Sequence, residues 1–239
     1  MNILTSMKLQ ILKLRHGGFW LLHLLMIFGV IFLLDGYYVL YSFKDSMSRI
    51  KLIYEFIGIL IPILVSITIA FLVRMEEQTA NLYGILAVRH RKKVIMGLLL
   101  FSWATTVLQV LIQTISLVIL GDMEGDALPK ILLLGGGMAV FSFFFHLFHL
   151  FLHLRFGIGV SLLVGVFECM QSVMYSNVQL AGIFQYIPSA WLMEWKACIL
   201  AGSLREQWIF WIISLALLLT YLILFLIWFE RWEGKNNAE

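Results

Sequence analysis

The chain alternates between long apolar stretches and short polar interruptions. An α-helix needs roughly 20 apolar residues to cross about 30 Å of hydrocarbon, and six apolar stretches are near or above that length. They run over about residues 19–41, 53–73, 94–120, 131–154, 156–175 and 207–229. With no repeat at a fixed period, the pattern predicts an all-α integral membrane protein whose six transmembrane helices form one domain over residues 1–239.

Composition narrows the class of protein further. Hydrophobic residues make up 62% of the chain and charged residues 13%, whereas a soluble domain carries roughly 25% charge. No basic run is interleaved with aromatic residues on a polar face, so nucleic acid is not expected as a partner. The sequence also lacks a G-x-x-x-x-G-K-[ST] phosphate loop, a G-x-S-x-G elbow and an H-E-x-x-H helix. We therefore expect a non-catalytic chain whose energy comes from a partner or an ion gradient.

Lysine and arginine positions predict the orientation, because cytoplasmic loops carry an excess of these residues. With the N-terminus inside, the inner segments hold eleven of the 17 lysines and arginines, and the outer segments hold six. Both termini are accordingly predicted to be cytoplasmic. Residues 2–16 would form an interfacial helix on the inner leaflet, inserted through its apolar side. That side carries Ile3, Leu4, Met7, Ile11 and Leu14.

The longest polar interruption on the inner side runs from Arg74 to Lys93. From Met75 to Val88 it can form an amphipathic helix between spans two and three. One side would carry Met75, Gln78, Thr79, Leu82, Ile85 and Leu86, and the other Glu76, Glu77, Asn81 and Gly84. Such a helix either lies on the lipid surface or is held by a partner protein.

Three features interrupt the spans. Pro62 predicts a kink in span two, and the glycines 135–137 would permit close approach of a neighbouring helix to span four. The segment Ser176–Glu206 is too short and mixed for a span, yet too apolar for a loop in water. Its proline and tryptophans indicate a re-entrant outer element before span six. The residues that indicate it are Pro188, Trp191 and Trp195.

Three histidines, His146, His149 and His153, fall on one face of span four. Their spacing is compatible with metal ligation, and His23 on span one lies at a similar depth, which makes a bis-histidine haem conceivable. The alternative is that the histidines form hydrogen bonds between helices. The sequence favours this alternative, since span four supplies no carboxylate or cysteine to complete a metal site.

Glu168 lies in the middle of span five. A carboxylate at that depth costs a few kcal/mol, so it is expected to face protein or a water-filled cavity. It is either a substrate or proton site or a structural anchor, and the sequence leaves both open. Gln171, Gln109 and Gln113 are its predicted partners. Asp35, near the outer end of span one, is a weaker candidate, since it can reach interfacial water.

The layout resembles the permease subunits of ABC-2 type (type V) exporters, and among them the lantibiotic-immunity permeases of Gram-positive bacteria. The resemblance rests on LRHGGFWLLHLL after the amphipathic start, the pair Tyr37-Tyr38, the segment EEQTANLYGILAVRHRKKVIMG and the break IPSAW. It covers nearly the whole chain in layout, although its motifs are loose. One departure is Leu98, where family members often place a lysine after the glycine that corresponds to Gly97.

The resemblance implies a location in the bacterial cytoplasmic membrane and a function in self-protection, the expulsion of a cationic antimicrobial peptide. It implies an ABC ATPase dimer that supplies ATP and magnesium, and a second related permease, with a heterodimer favoured over a homodimer. This chain would bind no cofactor. The implied coupling helix comprises Glu76, Glu77, Gln78, Asn81, Leu82, Tyr83, Gly84 and Leu86. The implied inner-interface cluster comprises Arg89, Arg91, Lys92 and Lys93. The candidate substrate path comprises Glu168, Gln171 and Asp35.

Two other classes of protein remain open. One is a stand-alone ion-coupled carrier centred on Glu168, which would work without ATP. The other is a haem or metal protein that uses the histidines of spans one and four.

Overall fold

The structure is a computed structural model, and it describes residues 3–14, 18–41, 46–80, 82–88, 90–120, 127–177, 183–203 and 208–234. Within these ranges the chain is helical and contains no β-strand. The helices are α1 (Ile3–Leu14), α2 (Phe19–Tyr41), α3 (Ser46–Ala80), α4 (Tyr83–Leu86), α5 (Arg91–Leu120), α6 (Ala127–Phe156), α7 (Ile158–Asn177), α8 (Trp191–Ala201) and α9 (Trp208–Arg231). Two 3₁₀ turns, Phe184–Tyr186 and Pro188–Ala190, lead into α8.

Helix length and apolar character confirm a membrane protein. Five helices, α3, α5, α6, α7 and α9, are long and apolar enough to cross a membrane. A sixth crossing results if α1 and the first part of α2, which meet at 88°, are counted as one span. The all-α prediction is therefore confirmed with five or six spans.

Three helices, α3, α5 and α6, are longer than the apolar stretches that predict them. The predicted second span covers residues 53–73, whereas α3 begins at Ser46, continues through Pro62 and ends at Ala80. The difference arises because helical hydrogen bonding continues into the polar interface, while hydrophobicity marks only the hydrocarbon layer. Between α6 and α7 the break falls at Gly157, whose φ of +95° lies in the left-handed region that favours glycine.

Helices α3 and α6 form the centre of the bundle. α3 packs on α6 and α7, and α6 also packs on α5 and α8. Buried hydroxyl groups join these helices: Tyr54 Oη of α3 donates to the Ile131 carbonyl at 2.9 Å and lies 2.9 Å from Thr114 Oγ1 of α5. By contrast α2, α7 and α9 present large exposed apolar side chains, such as Phe32 and Leu163, as lipid-facing helices do.

The segment before the last span is a short helix buried in the bundle. Trp191 and Trp195 of α8 are 0% and 4% exposed. The Trp195 indole N–H donates to the Leu133 carbonyl of α6 at 3.0 Å. A Cβ at Gly137 would meet that indole ring, whereas a Cβ at Gly136 would meet nothing within 4 Å. The predicted close approach at the glycine run is thus confirmed at Gly137.

This contact predicts a difference between two neighbouring glycines. Gly137→Ala should destabilise the protein by about 1–3 kcal/mol, the usual cost of overpacking, because the indole of Trp195 must move. Gly136→Ala is the matched control on the same helix, and it should leave stability unchanged or slightly raised. Thermal unfolding in detergent micelles measures both, and equal midpoints would contradict the packing of α8 on α6.

Candidate functional site

Buried histidines on α6 join this helix to three neighbouring helices. His146, His149 and His153 are each 0% exposed. Nε2 of His146 lies 2.9 Å from Thr106 Oγ1 of α5. His149 contacts α7, and His153 Nε2 lies 3.9 Å from a carboxylate oxygen of Glu77 on α3. The prediction that the three histidines share one face of the helix is confirmed, and each of them contacts a different neighbouring helix.

A buried polar pair formed by His149 and Glu168 joins α6 to α7. His149 Nε2 lies 2.9 Å from Glu168 Oε2, and Glu168 is 5% exposed. Nδ1 of the same ring lies 3.2 Å from Ser161 Oγ. If Nε2–H donates to the carboxylate, Nδ1 of a neutral ring accepts from the serine hydroxyl. The Ser172 hydroxyl donates to the Glu168 carbonyl at 2.9 Å, which fixes the backbone at the same place.

The His149–Glu168 pair lies near the middle of the membrane, where a net charge is costly. α7 has 20 residues, so it is about 30 Å long and spans the hydrocarbon layer, with Glu168 near its midpoint. A protonated histidine and an ionised carboxylate carry no net charge together, as do their neutral forms. A proton can therefore lie on either residue without a net charge at the centre of the membrane. The site can act as a structural anchor or as a proton-binding site, the two roles that the sequence leaves open.

The structure pairs Glu168 with His149 and not with the predicted glutamines. Gln113 Nε2 donates to the Ile27 carbonyl of α2 at 3.0 Å. Gln109 Nε2 is buried with no hydrogen-bond partner in the described part of the chain, and it lines a cavity of about 30 Å³ between α2, α3 and α5. That volume accommodates one water molecule. Gln171 is half-buried on α7, and the side chain of Asp35 lies outside the described residues.

The histidine of α2 also has partners within the protein. His23 Nδ1 lies 2.9 Å from the Phe19 carbonyl and Nε2 lies 3.3 Å from Thr68 Oγ1, so both nitrogens have partners within the protein. Among the described residues no three His, Cys, Asp or Glu side chains are grouped so that they could hold a metal ion. The arrangement supports the interpretation of the histidines as hydrogen-bonding groups between helices.

The predicted coupling helix over Met75–Val88 does not form as one separate helix. Its first part is the end of α3, which continues to Ala80, and α4 contains only four residues. Leu82 interrupts the helix with a φ of +67°. Leu82 and Ile85 are each 3% exposed, because this connection folds back onto the protein core. Asn81 lies outside the described residues, as does the side chain of Tyr83, and Gly84 lies within α4.

Glu76 faces the protein interior and is therefore a poor candidate to contact a partner. It is 4% exposed, and its Oε1 accepts from Gln10 Nε2 at 2.9 Å and from Lys13 Nζ at 2.6 Å. The Ser6 hydroxyl of α1 donates to the Val94 carbonyl of α5 at 3.1 Å. The buried side of α1 is thus Ser6, Gln10 and Leu14. The predicted placement of Leu14 in lipid is wrong, because Leu14 is 0% exposed.

Basic residues after α4 lie beside the end of α9. Arg91 donates to the Trp232 carbonyl at 3.0 Å, and Lys92 Nζ lies 2.6 Å from Glu230. These residues line an open cavity of about 480 Å³, together with Lys93 and His90. The structure thus brings together Arg91, Lys92 and Lys93 of the predicted basic cluster. Arg89 lies outside the described residues.

An ion pair that the sequence pattern does not indicate joins α8 to α3, far from the α3–α5 connection. Lys196 Nζ lies 2.8 Å from Glu55 Oε2 of α3, and Lys196 is 4% exposed. Burial lowers the pKa of the Lys196 ammonium group, and the hydrogen bond to Glu55 opposes this shift. Pro188 begins the 3₁₀ turn before α8, and Trp191 and Trp195 of α8 are buried.

Comparison with protein-family models, with curated proteins and with solved structures yields no match.

The His149–Glu168 pair predicts non-additive mutations. Removal of one partner of a buried pair costs about 3–5 kcal/mol, whereas apolar replacement of both is often neutral. His149→Leu should therefore lower the unfolding midpoint strongly, and Glu168→Met added to it should restore part of the loss. Thermal unfolding of the two single variants and the double variant forms a double-mutant cycle. Strictly additive losses would show that the two residues are not coupled.

Proposed function

We propose that this chain is the permease subunit of an ATP-driven ABC-2 type exporter that expels a lantibiotic or a similar cationic antimicrobial peptide from the bacterial cytoplasmic membrane. The observation that carries the proposal is the connection between α3 and α5. It is short and does not span the membrane, α1 is fastened through Glu76 to the end of α3 that leads into it, and basic residues lie beside it. Since the sequence has no nucleotide-binding motif, ATP hydrolysis is assigned to a partner that docks there.

The proposed assembly contains two ATPase subunits and a second, related permease. Both termini of this chain are placed in the cytoplasm, by the excess of lysine and arginine on that side. α8 is the proposed re-entrant element of the outer leaflet. Two observations support this role: α8 is too short to cross a bilayer, and it is buried among α3, α6 and α7.

The exposure of side chains in and beside the α3–α5 connection indicates which of them can contact the ATPase. Glu76 and Leu82 are buried, whereas Gln78, Ala87, His90 and Lys93 are exposed. Two of these exposed residues, His90 and Lys93, are basic, so the partner surface is expected to carry acidic groups. This polarity is opposite to the one that the resemblance to ABC-2 type permeases implies, in which the carboxylates of Glu76 and Glu77 would meet basic groups of the ATPase.

Glu168 does not offer an open site for a peptide in this structure. It is 5% exposed and paired with His149. A direct contact with a cationic peptide would need α6 and α7 to separate around the pair. We therefore place Glu168 in the proposed transport path as a residue that becomes reachable when the helices move.

The docking proposal predicts opposite outcomes for one substitution at two ends of the protein. Ala87 lies in the α3–α5 connection and Ala201 at the end of α8, and both are exposed. Ala87→Trp should abolish co-purification of a P-loop ATPase from native membranes in mild detergent, because the new indole obstructs the docking surface. Ala201→Trp, the matched control, should leave it unchanged. Leu82→Asp is a poorer test, since Leu82 is buried and its replacement should damage the fold.

The same variants test the biological role. Cells that lack the chain should become more sensitive to their own peptide, and the wild-type and Ala201→Trp chains should restore resistance while Ala87→Trp does not. Purification of the wild-type chain without any ATPase, or full resistance with Ala87→Trp, would refute the proposal.

A second candidate function, a proton-coupled carrier that works without ATP, is favoured by the buried His149–Glu168 pair. In proteoliposomes that contain the chain alone, a pH gradient should then drive peptide movement. Glu168→Gln should abolish this movement while the protein remains folded, because an amide cannot bind and release the proton. Transport that requires added ATPase and ATP, and persists in Glu168→Gln, would exclude the carrier.

A further inference from the structure

Helices α6 and α9 enclose an elongated apolar groove. Its volume is about 520 Å³, within the range of small-molecule sites. Aromatic rings from the two helices meet at both ends: Phe144 and Tyr221 have centroids 5.2 Å apart, and Phe151 and Trp228 have centroids 4.8 Å apart. All lining residues are apolar or aromatic except Arg231, the last residue of α9.

The length of the groove matches one leaflet of a bilayer. From Tyr221 to Arg231 the α9 wall is eleven residues long, so the ten helical rises between the two residues cover about 15 Å at 1.5 Å each. The hydrocarbon layer is about 30 Å thick, so the groove covers about half of it. It runs from the middle of α9 to the end where Arg231 lies beside the Lys92–Glu230 pair. The guanidinium group is thus at headgroup level, and the aromatic part lies at the depth of the acyl chains.

The groove is open on its lipid side. Leu224 and Ile227, which form its rim on α9, are 56% and 46% exposed. A lipid in the surrounding membrane can therefore enter sideways without any helix movement.

We infer that this groove binds one acyl chain of an anionic phospholipid, with the lipid phosphate on Arg231. A guanidinium group binds phosphate oxygens through two parallel hydrogen bonds. An extended peptide fits poorly, because apolar walls leave its backbone N–H and C=O groups without partners. A cationic peptide is further disfavoured by Arg231. The lipid site is thus separate from the transport path proposed above and independent of it.

The test uses the full chain in nanodiscs of phosphatidylglycerol and phosphatidylcholine, with lipids that remain bound counted by native mass spectrometry. Leu224→Trp fills the groove and should remove the retained phosphatidylglycerol. Arg231→Gln should weaken its binding about fivefold, because a basic residue near an anionic surface contributes about 1 kcal/mol. Binding of phosphatidylcholine should change little in Arg231→Gln.

Two matched controls separate the groove from general effects. Leu219→Trp adds the same side chain at an exposed position of α9 that does not line the groove, and Arg74→Gln removes an exposed cation elsewhere. Both should retain the wild-type lipid. Loss of lipid in the controls to the same extent, or retention in Leu224→Trp, would overturn the inference. Conversion of a dimer to a monomer by Leu224→Trp, with lipid retention unchanged, would assign the groove to a second copy of the chain.

Discussion

A carboxylate at the midpoint of a membrane-spanning helix must have a partner, and much of this bundle is arranged around that requirement. Hydrocarbon offers Glu168 neither water nor counterions, so an unpaired charge there costs at least a few kcal/mol. His149 of α6 is the partner of Glu168, with Nε2 of the ring 2.9 Å from the carboxylate, and Nδ1 of the same ring contacts the Ser161 hydroxyl. Both residues of the pair are buried, which is possible only if α6 and α7 remain in close contact.

Similar contacts recur at other depths of the bundle, because the hydrophobic effect does little to hold apolar helices together in lipid. Thr106 with His146 joins α5 to α6, and Tyr54 links α3 to the Ile131 carbonyl. Close packing at small residues adds to these bonds. A Cβ at Gly165 would lie 2.6 Å from Ser66 Oγ, so α7 can approach α3 only with glycine at that position. Polar contacts and small residues together explain why α3 and α6 occupy the centre.

The sequence predicts the long apolar helices well, because length and apolar character are local properties. The spacing of residues around Gly157 also predicts the partner of Glu168. His149 lies eight residues before Gly157 and Glu168 lies eleven residues after it, so an antiparallel pair with a short turn places them at a similar depth. A prediction based on glutamines in span three overlooks this geometry, since it considers side-chain type rather than distance from the turn.

Other features depend on contacts that no local pattern records. The buried side of α1 is polar at Ser6 and Gln10, although helical periodicity in a soluble protein would bury the leucines. In a membrane the exposed leucines can face lipid, while the polar side finds partners in the protein. The partners lie more than 60 residues away, at Glu76 and Val94. The left-handed Leu82 is equally unforeseen, because φ > 0 is uncommon outside glycine and the neighbouring Gly84 is the expected place for it.

The inward orientation of Glu76 determines the charge of the surface around the α3–α5 connection. This carboxylate is neutralised by Lys13 of the same chain, and Glu230 is neutralised by Lys92. Glu76 is thus engaged internally, and the exposed residues of this end include Arg74, His90 and Lys93 together with Glu230, which is paired with Lys92. A surface of that kind attracts acidic protein groups and anionic lipid headgroups alike. The two ligand classes separate by depth: Ala87 lies between α4 and α5 and Lys93 lies in the first turn of α5, where a soluble partner can reach them, whereas Arg231 lies at the end of an apolar groove that a lipid chain can enter from the side.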